Sequence, residues 1–214
     1  MTTLTTAPAP TPPELQYNYY PKKHLVIFWN DFKGPLTPNI LSKLVKIRTI
    51  VFGREFNSSI DELPDWIEFI KLNYKFQQKI NKLPAKLIKM EFGSSYQHQI
   101  CCNWPPHIKT INIEDNHHLI ESLPPYLEKM IVGNKFLSKE QPPISLLPLN
   151  LKVLDICCIK IDNLDSVLPP TLEKLYINEL YITSKDNHLE TKFLPKTLVE
   201  TKINIEKVIP FQDD

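Results

Sequence analysis

Residues 52–70 read FGREFNSSIDELPDWIEFI, and residues 92–111 repeat the string loosely as FGSSYQHQICCNWPPHIKTI. Each copy has Phe-Gly, an aromatic residue three positions after the Gly, an Ile four positions later, and then a Pro followed by an Ile. The chain has only four glycines against twenty prolines. Placing Phe-Gly twice in the same setting therefore indicates a structural period and not a reactive loop.

Alignment on proline extends the period along the chain. Seven segments share Leu/Trp-Pro-x-x-Leu/Ile, with anchors at Pro64, Pro84, Pro105, Pro124, Pro148, Pro169 and Pro195. The anchors are 20, 21, 19, 24, 21 and 26 residues apart. Two weaker copies lie upstream, one with Leu44 in the place of the proline and one anchored on Pro21. Together they make about nine units from Tyr20 to near the C-terminus.

Within each unit, the positions three, six and eight after the anchor are apolar, as Leu87, Met90 and Phe92 illustrate. The last two alternate with variable residues, which predicts one short strand per unit with one face buried. Aromatic residues at position twelve and aliphatic residues at position sixteen are predicted to fill the space behind the sheet. These residues are Phe56, Phe76, Tyr96, Phe136 and Tyr181 at position twelve, and Ile60, Ile80, Ile100 and Leu164 at position sixteen.

Position nine is mostly Gly or Asn and predicts a sharp turn after each strand. The nine residues are Asn30, Gly53, Asn73, Gly93, Glu114, Gly133, Cys157, Asn178 and Asn204. Gly and Asn adopt the left-handed backbone conformation most readily, so we expect that conformation here.

Units of 19 to 26 residues leave little room for a full helix beside a strand and two bends. The sequence therefore predicts an α/β-type repeat solenoid that is mostly β, a right-handed coil with one parallel sheet of about nine short strands. We expect a Pro-rich extended or disordered arm at residues 1–19, a single repeat domain at residues 20–209 and a tail at residues 210–214. The arm could instead lie along the exposed edge of the first unit.

The Leu-Pro-x-x-Leu-x-x-Leu-x-Phe spacing resembles leucine-rich repeats, and residues 52–70 resemble the FNIP repeat subfamily. The matching residues are Phe52, Gly53, Phe56, Asn57, Ile60, Leu63, Pro64 and Ile67, with a looser match at Phe92, Gly93, Tyr96, Ile100, Pro105 and Ile108. The resemblance implies a binding solenoid without catalytic residues. Proteins of this type occur chiefly in social amoebae and in giant viruses of amoebae. Some carry an F-box and resemble substrate receptors of ubiquitin ligases, but the segment TTAPAPTPPEL is no F-box helix.

Composition narrows the class of partner. The net charge is +1, from 25 basic and 24 acidic residues that are interspersed, so a nucleic-acid partner is not expected. No run approaches the roughly 18–20 apolar residues of a membrane span, and no signal peptide is recognisable. We expect a cytoplasmic protein of the host or source cell, or one associated with a virion, that uses no cofactor.

The variable strand residues at positions five and seven are predicted to line the concave face of the sheet and to bind a protein partner. We single out Val26, Phe28, Val51, Phe69, Lys71, Lys89, Glu91, Ile131, Val153 and Tyr176. The first units place apolar side chains there, which is typical of an interaction surface. Two alternatives are that the N-terminal arm covers the patch, or that the register of the first units shifts by one and turns these side chains inward. Opposite charges on neighbouring strands, such as Lys71 and Glu91, could form ion pairs.

A metal or catalytic site is not expected. The pairs Cys101–Cys102 and Cys157–Cys158 lie three units apart, roughly 14 Å along a solenoid axis, which is too far for a disulfide or a shared zinc ion. Four histidines near Cys101–Cys102 are expected to be solvated or hydrogen-bonded, namely His98, His107, His117 and His118. No phosphate-binding loop or nucleophile motif is present, so an enzyme is not predicted.

Two functions remain. One is a non-catalytic interaction module, acting as a substrate-recruiting adaptor, that binds a protein through its concave face. The other is a structural subunit of a larger assembly, held by the N-terminal arm and the solenoid surface.

Overall fold

The computed structural model describes residues 16–100, 102–114, 119, 123–133, 147–161, 168–182 and 194–203. Within these residues the chain forms one ten-stranded sheet, whose strands follow one another in chain order. The strands are β1 Tyr17–Tyr20, β2 Leu25–Phe28, β3 Thr49–Val51, β4 Phe69–Lys71, β5 Lys89–Glu91, β6 Thr110–Ile113, β7 Lys129–Val132, β8 Val153–Ile161, β9 Lys174–Ile182 and β10 Glu200–Ile203. In the described part of the chain, the helical elements are a 3-10 turn, Pro21–Lys23, and one short α-helix, α1 Pro38–Ser42, and Leu119 also has 3-10 conformation.

Strands β2–β10 pair in parallel, each with the next. Thr49 lies opposite Phe69, and Phe69 lies opposite Lys89, so the register repeats the spacing of the prolines. The predicted solenoid with nine parallel strands and little helix is confirmed.

The tenth strand, β1, closes the N-terminal edge of the sheet. It pairs antiparallel with β2, with Tyr17 opposite Phe28 and Tyr20 opposite Leu25. The Tyr17 ring meets the Phe28 ring edge-on at 5.4 Å, and the Trp29 indole donates to Asn18 Oδ1 at 3.3 Å. The last three residues of the expected arm therefore lie in the sheet. Residues 1–15 of the arm and the tail at residues 210–214 lie outside the described residues.

From β4 onward, an anchor proline precedes each strand in a tight turn. The residue three positions after the proline donates its backbone N–H to the proline carbonyl, at 3.1 Å for Ile67 to Pro64 and 3.0 Å for Leu87 to Pro84. That same residue is buried, with Ile67 and Leu87 both 0% exposed. Each full burial of such a side chain contributes roughly 1.5–3 kcal/mol, so the turn fixes the start of the strand and the core packing together.

Behind the sheet, aromatic rings stack from unit to unit. The aromatic ladder consists of Phe32, Phe56, Phe76 and Tyr96, with successive ring centroids 5.8, 6.0 and 5.7 Å apart. All four are buried, as are Ile60, Ile80 and Ile100. The prediction is confirmed for Phe56, Phe76 and Tyr96 at position twelve and for the three isoleucines at position sixteen, whereas Phe32 was not predicted. Phe136, Leu164 and the Tyr181 side chain lie outside the described part of the chain.

Polar side chains also join neighbouring units. Asn57 Oδ1 accepts from the Gln77 backbone N–H at 2.8 Å, and Asp61 accepts from both nitrogens of Asn81, at 3.0 Å from the backbone and 2.8 Å from the side chain. Burial acts to raise the pKa of Asp61, but the hydrogen bonds from Asn81 and Lys82 outweigh it and lower that pKa below its ordinary value. Asn57, the Asn of the FNIP pattern, thus accepts a hydrogen bond from a backbone N–H of the next unit.

The predicted register is wrong in the first unit. Thr49 pairs with Leu25 and Val51 pairs with Ile27, so Val26 and Phe28 point into the core and are each 1% exposed. Phe28 stacks on Phe52 at 5.2 Å. The shift of one residue arises because β2 reads LVIF, which is apolar in both of its alternating sets, and the Phe28 ring gains stacking partners inside.

The explanation predicted for the turn glycines is also wrong. Among the described residues only Gly34 (φ 80°) and His24 (φ 49°) have a left-handed backbone, so Gly53, Gly93 and Gly133 do not. Instead they lie against the preceding unit. A Cβ on Gly53 would come 1.8 Å from the Trp29 carbonyl oxygen, and one on Gly93 would come 2.3 Å from that of Asn73. Close backbone approach therefore requires glycine here.

Candidate functional site

The face of the sheet opposite the core, called the open face below, consists of two columns of side chains. The first column is Leu25, Thr49, Phe69, Lys89, Thr110, Lys129, Val153, Lys174 and Glu200; the second is Ile27, Val51, Lys71, Glu91, Asn112, Ile131, Asp155, Tyr176 and Lys202. Alternate strand residues, such as Ile50, Ile70 and Met90, are 0% exposed on the core side. Eight of the ten predicted site residues lie on the open face, and Val26 and Phe28 do not.

The apolar patch predicted on the first units is present with different members. Leu25, Ile27, Val51 and Phe69 lie next to one another across β2–β4, and each is partly exposed. Because β2 is apolar at every position, the register shift exchanges Val26 and Phe28 for Leu25 and Ile27 without making the face polar. β2 is not preceded by the Leu-Pro turn that precedes most of the later strands. That difference was the signal in the sequence that the register of β2 need not follow theirs.

A charged group adjoins the apolar patch. Glu91 lies between two lysines, with Lys89 Nζ at 2.6 Å and Lys71 Nζ at 3.0 Å from its carboxylate oxygens. Lys89 Nζ also lies 4.6 Å from the centre of the Phe69 ring, which is the geometry of a cation–π contact. The predicted Lys71–Glu91 pair is confirmed, and Lys89 joins it to the apolar patch.

Burial acts to raise the pKa of Glu91, but its hydrogen bonds and charge attraction to Lys89 and Lys71 outweigh burial and lower that pKa below its ordinary value. A lowered folded-state pKa contributes stability above the unfolded-state value, and this stability is lost as pH falls through the folded-state pKa. We expect Glu91→Gln to reduce the free energy of unfolding by about 1 kcal/mol at pH 7, with the difference from wild type shrinking at pH 3.5. Urea unfolding of Glu91→Gln and of the wild type at both pH values measures this difference in the free energy of unfolding. An unchanged difference at pH 3.5 would contradict the ionic origin.

The later strands continue the open face with mixed side chains. Ile131 and Val153 are partly exposed, and Asp155, Tyr176 and Lys202 follow one another in the second column. Lys174 Nζ lies 2.7 Å from a Glu200 carboxylate oxygen. The hydrogen bond between Tyr176 and Glu200 raises the pKa of Tyr176, while hydrogen bonds that Glu200 accepts from Lys174 and Tyr176 lower the pKa of Glu200. These pairs face solvent, so they orient the surface side chains but contribute little to the free energy of unfolding.

A column of hydrogen-bond donors went unrecognised in the sequence. In several units, the residue two positions after the anchor donates a side-chain hydrogen bond to a carbonyl of the preceding unit. Four examples are Trp66 to Leu44 (3.1 Å), Tyr126 to Trp104 (3.2 Å), Thr171 to Leu149 (2.6 Å) and Thr197 to Pro170 (2.9 Å). These four side chains have only a hydrogen-bond donor group in common. The recurrence of a donor at this position was the signal available in the sequence.

Two further observations concern other kinds of site. Within the residues that the structure describes, no group of three or more His, Cys, Asp or Glu side chains is placed to hold a metal ion. In that same part of the chain, no helix has the length and apolar character needed to cross a bilayer.

Comparison with known proteins identifies one repeat segment and a fold. The FNIP Repeat family model matches residues 56–95, so the resemblance is confirmed over that segment. Among solved structures, the chain is similar to CroV588, a giant-virus protein described as a novel circular LRR protein, with a TM-score of 0.60. The identity is 22%, and the match covers 88% of this chain and 31% of CroV588, so it establishes the leucine-rich-repeat fold alone. No curated protein matches the sequence.

Proposed function

Because the chain is a leucine-rich-repeat solenoid with an FNIP repeat at residues 56–95, we propose that it is a non-catalytic module that binds a protein partner across the open face. The observation that carries this proposal is the apolar patch on β2–β4. Leu25, Ile27, Val51 and Phe69 face away from the core, where side chains without a partner are normally polar.

The patch has the features of an interaction centre. Phe69 supplies an aromatic anchor, and Lys71, Lys89 and Glu91 supply a charged rim beside it. Apolar anchors surrounded by polar groups carry most of the binding energy in protein interfaces. The parallel ladder fixes the backbone of β3 and β4 on both sides, so little conformational entropy is lost on binding.

Crosslinking mass spectrometry in the source cell would identify the partner and the face it occupies, and titration with the purified partner would then test the patch. We expect the double variant Val51→Asp with Phe69→Glu to weaken binding by at least about 100-fold, since removal of each anchor costs roughly 1–2 kcal/mol and the added charges must be desolvated. Both side chains are partly exposed, so circular dichroism and the thermal midpoint should change little.

Val199→Asp is the matched control, because Val199 is apolar, 79% exposed and outside the two columns. Unchanged affinity in the double variant, or an equal loss in the control, would contradict the proposal. The adaptor role would be supported by a partner that is a subunit of a ubiquitin ligase or that is degraded through one. Normal binding by the face variants, together with failed assembly after deletion of residues 1–15, would favour the structural-subunit function instead.

A further inference from the structure

A second surface lies where β3 and β4 begin, beside the open face. We call it the amino-edge cleft; it has a volume of about 260 Å³, and its walls include Val45, Lys46, Arg48, Trp66, Glu68 and Lys86. These residues come from three consecutive units. The repeat pattern accounts for the hydrogen-bond donor of Trp66, two positions after its anchor, but not for the charges or the exposed apolar surface of this group.

The cleft has an exposed apolar wall that is held in place. Val45 is 65% exposed and Trp66 is 39% exposed. The Trp66 indole N–H donates to the Leu44 carbonyl at 3.1 Å, which holds the ring in place where it lines the cleft. On the other side, the His24 ring nitrogen Nδ1 lies 2.9 Å from the Lys46 carbonyl oxygen. Both hydrogen bonds tie the walls to neighbouring units before any partner binds.

The charges around the cleft are predominantly basic. Lys46, Arg48 and Lys86 oppose the single carboxylate of Glu68, which forms an ion pair with Arg48. Among the described residues, no carboxylate lies within ion-pair distance of Lys46 or Lys86. Nearby Asp65 is 3.8 Å from Lys82 and is not part of the wall. Two cations thus flank an exposed Trp and Val on a protein whose overall charge is only +1.

The structure assigns to this cleft an acidic peptide segment of another protein, which places one bulky apolar side chain against Val45 and Trp66 and carboxylates near Lys46 and Lys86. The volume is below the roughly 300–1,000 Å³ of sites for drug-sized ligands, so it suits one or two side chains. Glu68 in the wall and a net charge of only +1, from interspersed acidic and basic residues, disfavour a nucleic acid, which requires a track of cations. This inference does not rest on the function proposed for the open face.

Fluorescence anisotropy with two labelled hexapeptides tests the assignment on the full chain. The acidic probe has the sequence Glu-Asp-Leu-Phe-Asp-Glu, and the matched basic probe has Lys-Arg-Leu-Phe-Arg-Lys. We expect the acidic probe to bind saturably and at least about 10-fold more tightly than the basic one, with affinity falling as salt rises. Equal affinity for the two probes, or no binding of the acidic probe, would overturn the inference.

Variants then locate the bound peptide. We expect Lys46→Glu, Lys86→Glu and Val45→Asp each to lower the affinity for the acidic probe by about 5-fold or more. The first two reverse a favourable charge, and the third places a carboxylate in the apolar wall. All three side chains are exposed, so the fold should persist. The matched controls are Lys79→Glu, an exposed lysine elsewhere, and Phe69→Ala on the open face, and both should leave affinity unchanged.

Loss of binding in the controls alone would overturn the inference by placing the peptide elsewhere. Saturable binding of a ten-nucleotide thymidine strand without binding of the acidic peptide would also overturn it and assign the cleft to nucleic acid. Failure of the open-face double variant to affect the native partner would contradict the proposed function while leaving the cleft intact.

Discussion

Replacing Phe56 with alanine is expected to reduce the free energy of unfolding by about 3–5 kcal/mol, the usual cost of truncating a buried phenylalanine. Phe56 is 1% exposed, and its ring stacks on three others. Its ring centroid lies 4.0 Å from Phe52, 5.8 Å from Phe32 and 6.0 Å from Phe76. The truncation therefore leaves a cavity that borders three units, and these rigid neighbours cannot collapse into it.

Chemical denaturation and hydrogen exchange measure the loss. For a chain of this size, 3–5 kcal/mol corresponds to a fall of about 10 °C in the thermal midpoint. Each unit of a solenoid contacts only its neighbours, so lost exchange protection should be greatest in β2–β5 and smaller in β9 and β10. Uniform loss of protection across the sheet would argue against this nearest-neighbour behaviour.

Two further substitutions separate the contributions. Phe56→Leu keeps an apolar side chain but removes the ring contacts, so we expect a cost of roughly 1–2 kcal/mol. Tyr74→Ala removes an aromatic side chain that is 47% exposed and contacts Arg54 through its ring face, and we expect a cost below about 1 kcal/mol. A loss for Tyr74→Ala that matched Phe56→Ala would show that ring number, and not burial in the ladder, determines stability.

The sequence was sufficient to predict the period, the parallel register from β3 onward and the burial of the ladder. Each of these follows from one chemical fact repeated in every unit. Proline starts a turn, and the apolar residues at fixed distances after it have only one buried side available. The agreement between Thr49 opposite Phe69 and the twenty-residue spacing of Leu44 and Pro64 illustrates this relation.

The first unit could not be assigned in the same way. Leu25, Val26, Ile27 and Phe28 are all apolar, so either alternate pair could face the core, and alternation alone gives no preference. The choice is made by rings distant in sequence, because Phe28 stacks on Phe32 at 4.6 Å and on Phe52 at 5.2 Å. For that reason the prediction that Val26 and Phe28 lie on the open face was wrong, whereas Val51 and Phe69 do lie on that face.

The amino-edge cleft illustrates a second limit. Its walls combine residues at positions one, two and four after different anchors, and no single column of the alignment is basic or apolar there. Lys46 and Trp66 are twenty residues apart in sequence and become neighbours only when the units stack. Surfaces that combine different columns of adjacent units require the register and the side-chain directions, which a repeat alignment does not contain.

The second large effect is expected at Gly53, where alanine should cost about 3 kcal/mol. The new Cβ would lie 1.8 Å from the Trp29 carbonyl oxygen and 2.4 Å from its carbonyl carbon, and these are backbone atoms that cannot rotate away. The same carbonyl accepts the Phe32 backbone N–H at 3.1 Å, so a shift that relieved the overlap would disturb the turn that places Phe32 in the aromatic ladder. Overpacking against well-packed atoms typically costs 1–3 kcal/mol and sometimes more.

Gly53→Asn distinguishes close approach from a left-handed turn. Asparagine tolerates a left-handed backbone, so it would be accepted if φ were the constraint. Because the constraint is the distance to Trp29, we expect Gly53→Asn to be at least as destabilising as Gly53→Ala in urea unfolding. Asn73→Ala is the control in the next unit, where a Cβ is already present; it loses only the 2.9 Å hydrogen bond from the Tyr74 N–H and should cost about 1 kcal/mol. Near-wild-type stability of Gly53→Asn would refute close approach, and with it the view that this column controls how tightly successive turns of the solenoid stack.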